Sequence, residues 1–238
     1  MNKLKDTDLV HILSRTPKDV LDMMKENTLY IGGGFIREMI AGNDIQDIDL
    51  FGDSFDELRG LAEGLTKGRE ARKHVTDNAI TVLAPPRLPV QFITRWLYGT
   101  PGDLVKSFDF TVCQAIVWYD KDGEKWESMI HDDFYSDLAA NRLVYTNPVR
   151  EEEAGGSMMR VLKFLRRGYN IQPKSLADVM GRMYMKVDTD YIRYVPGRDG
   201  ARENWVSKIV EGMLREVDPL NVVDGMDFVD DHRDLEDF

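Results

Sequence analysis

The chain has 238 residues, of which 42% are apolar and 31% charged, the balance of an ordinary globular protein with a core to bury, so wholesale disorder is excluded. Its formal net charge of −11 leaves no basic excess for gripping a long polyanion, and any nucleic-acid contact has to be local. No apolar run reaches membrane-spanning length, Met1-Asn2-Lys3-Leu4-Lys5-Asp6 has no signal-peptide character, and the lone Cys113 excludes an intrachain disulfide. A cytoplasmic protein with no membrane partner is expected.

In chain order, Thr16-Pro17-Lys18-Asp19 predicts a helix start. Thr16 is the hydroxyl cap, proline occupies the first turn, and Val20, Leu21 and Met24 give the apolar stripe. Thr28 to Ile31 reads as a short strand running into Gly32-Gly33-Gly34, and a helix from Phe35 to Ala41 is stopped by Gly42-Asn43. Asp47-Ile48-Asp49-Leu50-Phe51 alternates as a strand does. Further strands are expected at Ala79 to Leu83, Val90 to Thr94 and Asp109 to Tyr119. Asp120-Lys121-Asp122-Gly123 then turns a hairpin into Lys125-Trp126. From Asp133 the pattern becomes helical, with Met158, Val161, Leu162 and Leu165 on one face, and a last helix near Ala201 to Val217. The expected division is 1–147, 148–223 (a small helical unit) and an acidic tail 224–238, read as a solvated terminus.

Asp47 and Asp49 lie two apart on a strand, so both carboxylates leave one face while Ile48 and Leu50 enter the core. Two acids so close repel unless a cation joins them, and Mg²⁺ (or Mn²⁺) takes one or two carboxylates together with phosphate oxygens. Such Asp pairs are also common on ordinary surfaces. The segment upstream changes the balance. Strand, Gly32-Gly33-Gly34 and helix start place unhindered backbone N–H groups at a helix N-terminus, with Arg37 one turn in. Glycine turn and acid pair together point to phosphate and metal.

Ile31-Gly32-Gly33-Gly34-Phe35-Ile36-Arg37-Glu38-Met39-Ile40-Ala41-Gly42 followed by Asp47-Ile48-Asp49-Leu50 resembles the head of class II CCA-adding enzymes and bacterial poly(A) polymerases. These are nucleotidyltransferases of the DNA polymerase β superfamily. Glu38 stands where that pattern has aspartate. Weaker likenesses follow at Asp109-Phe110-Thr111-Val112, at Asp137-Leu138 with Asn141-Arg142-Leu143, and along Glu153 to Phe164. The resemblance spans residues 28 to 170. It implies an α+β fold: a polymerase β-like head of mixed sheet and flanking helices, followed by a small helical domain.

The resemblance also implies roles. Asp47 and Asp49 hold the metal, Asp109 serves as a third acid or a sugar contact, and Gly32, Gly33 and Gly34 bind phosphates through their backbone. Arg37, Arg160 and Lys163 offset the triphosphate charge. Arg166 and Arg167 join the same basic stretch, for which a solvated helix face is the plainer reading. The implied reaction is transfer of a nucleoside monophosphate from an NTP to an acceptor by two-metal catalysis, an RNA (tRNA-like) 3′ end being the default. The alternatives are a protein or small-molecule acceptor, or a catalytically weak nucleotide-binding module.

The departures limit what is inherited. Ser107 and Phe108 replace two arginines, and Cys113 an asparagine. Ala154 and Ser157 replace the pair that selects C and A, and Gln91 stands where the family tends to carry an acid. Strict CCA addition is therefore not expected. His74 and His131 have no partner at ligand spacing and read as surface or structural. Met158, Met159, Met180, Met183 and Met185 read as helix packing, and Trp96, Trp118, Trp126 and Trp205 as core anchors.

Overall fold

The computed structural model describes residues 1–148, 155–185, 207, 208 and 210. Two helices, α1 (Asp6–Arg15) and α2 (Lys18–Glu26), lead into β1 (Tyr30–Gly32), α3 (Gly34–Ala41) and β2 (Ile48–Phe51). Then come α4 (Phe55–Gly68), β3 (Arg72–Val75), β4 (Ala79–Leu83), β5 (Val90–Ile93), α5 (Pro101–Ser107) and a 3₁₀ turn at Thr111–Cys113. The hairpin of β6 (Ala115–Asp120) and β7 (Lys125–Ile130) precedes α6 (Phe134–Ala139) and β8 (Arg142–Leu143). The described chain ends with α7 (Gly156–Arg166), β9 (Asn170–Ile171) and α8 (Pro173–Tyr184).

Seven strands form one sheet in the order β3-β4-β5-β2-β1-β6-β7. The β2–β5 pair is parallel and every other neighbouring pair in it is antiparallel. The fold is thus α+β with a mixed sheet and flanking helices, as the sequence implied. Alternation along β2 sends Ile48 and Leu50, both fully buried, into the main core with Ile31, Phe35, Val90 and Phe92. Burying each such side chain contributes roughly 2 kcal/mol on transfer scales. The opposite face carries Asp49 and a smaller cluster of Tyr30, Phe51, Leu104, Val105 and Ile116 under α5. That face holds the site.

Five local expectations are corrected. Thr16 does not cap α2; its hydroxyl donates to the Ile12 carbonyl across 2.9 Å and closes α1, while Pro17 stands at the cap. The stretch from Asp109 to Tyr119 is a strand only from Ala115. The 3₁₀ turn before it buries Thr111, Val112 and Cys113 together, which an alternating strand does not do, and Thr111 Oγ1 donates to the buried Asp137 carboxylate across 2.5 Å. On α7 the buried residues are Gly156, Ser157, Met159, Val161 and Phe164, whereas Leu162 and Leu165 are exposed. The Phe164 ring, packed against Phe110 and Tyr169, sets that rotation. Met180 and Met185 are exposed rather than packed, and Trp96, Trp118 and Trp126 are only half-buried.

The described part of the segment after residue 147 shares the head's core through Val161, Phe164, Tyr169 and Val179. β8 pairs in parallel with β9, and Arg182 donates to the Pro148 carbonyl and the Tyr145 hydroxyl. The helix expected near Ala201 to Val217 lies outside the described residues apart from 207, 208 and 210. Trp205, Ala154 and the acidic tail lie wholly outside them.

Candidate functional site

The turn between β1 and α3 needs its glycines for different reasons. A Cβ on Gly32 would sit 2.9 Å from Phe108 Cζ and 3.1 Å from Phe51 Cε2. Gly33 has φ +68°, which L side chains rarely adopt, and stands at the N-cap of α3. Its N–H donates to the Ala115 carbonyl across 3.0 Å, so this amide is engaged by β6 and is not offered to a phosphate. Gly34 begins the helix and has room, its nearest neighbour being Arg37 Nη2 at 3.6 Å from an added Cβ.

Arg37 is buried. Its Nε and Nη2 donate to Glu38 Oε1 across 2.8 and 2.6 Å, and its Nη1 to Cys113 Sγ across 3.4 Å. The guanidinium lies 4.7 Å from the Phe164 ring centroid. Most of its donors are thus engaged within the protein, whereas the sequence cast it as a phosphate ligand. Glu38 also accepts from Asn43 Nδ2 across 2.7 Å and Arg167 Nη1 across 3.3 Å. Burial disfavours the Glu38 anion, but Arg37, Asn43 and Arg167 outweigh it and hold the carboxyl below its ordinary range. Burial pushes the Cys113 thiol up to about 11 against the pull of Arg37, so it stays neutral and is no nucleophile near neutral pH.

Asp47 immediately precedes β2, and Asp49 lies on β2 opposite Gln91 of β5. The buried Gln91 donates from Nε2 to Asp47 Oδ2 across 2.7 Å. An amide donor therefore stands where a third acid would add negative charge. Asp109 is buried and accepts from Arg160 Nε across 2.6 Å, tying the chain before the 3₁₀ turn to α7. Among the described residues no group of three or more His, Cys, Asp or Glu is placed to hold a metal, so Asp109 does not complete a three-acid set with Asp47 and Asp49. The donor set that does exist, two carboxylates beside an amide, suits one hard divalent ion whose remaining ligands are phosphate and water oxygens.

These groups meet in a cleft of about 250 Å³ between the sheet face and α7. Gly33, Gly34, Arg37, Asp47, Asp49 and Asp109 line it. So do Arg160 and Lys163, whereas Gly32 sits behind the Phe108 ring. Ser157, aligned with a base-selecting arginine in the sequence, is buried against the core and does not line the cleft. Trp96, Asn78 and Phe108 also line the cleft, which their sequence positions do not announce. In the sequence Phe108 is only a departure from the family pattern, and a tryptophan or asparagine near a strand end carries no signal that separates a cleft wall from a core. His74 is exposed, and His131 Nδ1 accepts from the Asp133 N–H across 3.0 Å, a local structural contact. Among the described residues no helix is long and apolar enough to cross a membrane.

A family model described as Gabija anti-defense 2 family protein matches residues 3–141, more than half of the 238. A curated relative, "Gabija anti-defense 2" of Bacillus phage SPbetaL7, is 23% identical over 175 residues, covering 72% of this chain and 42% of that protein. Among solved structures, the Thermotoga maritima CCA-adding enzyme complexed with tRNA superposes with a TM-score of 0.55 at 16% identity, over 92% of this chain and 53% of that one. A CCA-adding enzyme with ATP gives 0.55 at 17% identity, over 93% and 52%. A tRNA nucleotidyltransferase with primer tRNA and an incoming ATP analogue gives 0.52 at 17%, over 79% and 55%. At such identities the likeness shows the fold, and the chain spans about half or less of the length of each of these proteins.

Proposed function

Since the chain belongs to the Gabija anti-defense 2 family, we propose that it counters a Gabija defence system with nucleotide chemistry in this cleft. It binds a magnesium-bound NTP and transfers the nucleoside monophosphate to an acceptor other than a tRNA 3′ end. The observation that carries the reading is that Asp47 and Asp49 share one cleft with the Gly33-Gly34 turn and the cationic face of α7. The acidic balance and the absence of Ser157 from the cleft support a non-tRNA acceptor.

Asp47 and Asp49 would hold Mg²⁺, which supplies charge neutralisation at the triphosphate when bound. Lys163 and Arg160 offset further phosphate charge from α7, and the α3 N-terminus at Gly34 adds its dipole. An acceptor hydroxyl oxygen attacks the α-phosphorus, the bond to the β-phosphate oxygen breaks, and pyrophosphate leaves. The hydroxyl proton passes to the Asp49 carboxylate and on to water, since the Gln91 amide is no base. A second reading, a nucleotide-binding module with little turnover, draws on Gln91 in place of an acid and on the internal commitment of Arg37.

The test is incubation with α-labelled NTPs and Mg²⁺ or Mn²⁺, offering total tRNA, free nucleotides and the proteins of a Gabija system in parallel. Label entering a non-tRNA acceptor, and lost in Asp49→Asn, is the expected result. Label entering tRNA alone would overturn the assigned acceptor. Nucleotide binding without transfer to anything would leave the second reading.

A further inference from the structure

A polar row crosses the site face of the sheet from β2 through β5 to β4. Asp49 pairs with Gln91, and Gln91 pairs with Thr81. On either side of Thr81, Ile80 and Val82 enter the main core with Leu50 and Phe92, so Thr81 faces the other way with Gln91 and Asp49. Residues directly opposite one another on antiparallel strands bring their Cβ atoms to about 4.5–5.5 Å.

Thr81 is fully buried, and among the described residues its hydroxyl has no hydrogen-bond partner. A valine would fill the same space without a buried polar atom, and an orphaned hydroxyl there weakens the fold. Gln91 is buried beside it, and its Nε2 donates to Asp47 Oδ2 across 2.7 Å. That bond suits the acid pair without a metal. It opposes a cation held by Asp47 and Asp49, because the N–H then competes for the Asp47 oxygen and turns its positive end toward the ion. The other end of the same amide is a carbonyl oxygen, a neutral ligand that hard divalent ions accept.

The two ends of the amide are nearly equal in size, so exchanging them takes a half-turn of the terminal torsion and no added room. What the half-turn needs is an acceptor for the N–H that leaves Asp47, since a buried donor without a partner is costly. Thr81 Oγ1, directly across the strand pair, is such an acceptor.

We propose that Gln91 is a metal-dependent switch and that Thr81 is its latch. Without the ion the amide nitrogen holds Asp47. With the ion, the carbonyl oxygen joins the acid pair as a third ligand and the nitrogen donates to Thr81 Oγ1. The proposal rests on the magnesium–NTP reading of this cleft and adds how ion binding rearranges the site. Thr81 acts only through Gln91, so it is a positioning residue.

The test is Mn²⁺ binding to the full chain without nucleotide, read from the paramagnetic resonance of the free ion, together with thermal unfolding in EDTA. Thr81→Val is expected to raise the unfolding midpoint in EDTA and yet to weaken Mn²⁺ by about tenfold, whereas Thr81→Ser stays within about threefold of wild type. In a Gln91→Leu background the valine should leave Mn²⁺ affinity unchanged, because no amide remains to be latched. A lower midpoint for Thr81→Val in EDTA would show the hydroxyl engaged before the ion arrives and would overturn the switch. So would wild-type Mn²⁺ affinity in Thr81→Val, or an equal loss with and without Gln91, and in either case the metal site would stand. Mn²⁺ that fails to bind wild type, or that binds an Asp47→Asn, Asp49→Asn double variant as tightly, would overturn the magnesium–NTP reading itself.

Discussion

Gln91 Nε2 and Asp47 Oδ2 are joined by a hydrogen bond of 2.7 Å that ties β5 to the residue leading into β2. Gln91 pairs with Asp49 in strand register while its amide bonds Asp47, so one residue of β5 adjoins both acids of the pair. It settles part of the charge that two adjacent carboxylates create and keeps the pair in place before any cation arrives.

Replacing this amide by an acid tests that role. Gln91→Glu turns a donor into a third carboxylate, and the metal-free protein is expected to lose about 1–3 kcal/mol of stability. Mg²⁺ should restore much of the loss and bind the variant more tightly than wild type. Thermal unfolding with EDTA and with Mg²⁺ reads both effects, and an unchanged midpoint in EDTA would contradict the account.

Glu38 is the hub beneath the cleft, accepting from Arg37, Asn43 and Arg167. Glu38→Ala strands the buried Arg37 charge and is expected to cost about 3–5 kcal/mol in chemical denaturation. Its folded carboxyl sits below the ordinary 4.5, so its stabilisation is complete above that value and fades as pH falls through the lower folded pKa. Glu38→Gln should remove this part of the acid slope below about pH 4.5 while keeping an acceptor for Arg37. A slope identical to wild type would show that Glu38 does not titrate as described.

The glycine turn separates a backbone demand from a packing demand. Gly33→Ala must place a Cβ at φ +68° and is expected to cost roughly 1–3 kcal/mol whatever stands nearby. Gly32→Ala instead meets Phe108 Cζ at 2.9 Å, so its cost should shrink in a Phe108→Ala background whereas that of Gly33→Ala should not. A double-mutant cycle by urea unfolding checks this. Equal coupling to Phe108 at both positions would contradict the distinction.

The acid pair and glycine turn were legible because their spacing repeats a pattern that backbone geometry enforces: alternate residues on one strand face, and a turn only glycine accepts. Gln91 was legible as a missing acid but not as a donor to Asp47, because a bond across 44 positions leaves no local trace. Arg37 was read as a phosphate ligand because sequence shows its charge and not Glu38 and Cys113 closing around it. The helix α4 was not anticipated, since Gly60 and Gly64 dilute its propensity, although Leu58, Ala62 and Leu65 bury one face. The strand β3 is exposed at every residue, so no alternating pattern announced it. Phe110 to Cys113 read as strand because all are apolar or β-branched, and only the Thr111–Asp137 bond shows why the chain turns there.

On the function proposed above, Asp47 and Asp49 grip one magnesium–triphosphate with the glycine turn. Calorimetric titration of ATP with and without Mg²⁺, on wild type and on the Asp47→Asn, Asp49→Asn double variant, tests it most directly. Mg²⁺ is expected to tighten ATP binding to wild type, and the double variant to lose about a hundredfold in the Mg²⁺-dependent affinity while unfolding as a cooperative protein. A double variant that binds magnesium–ATP as tightly as wild type would contradict it.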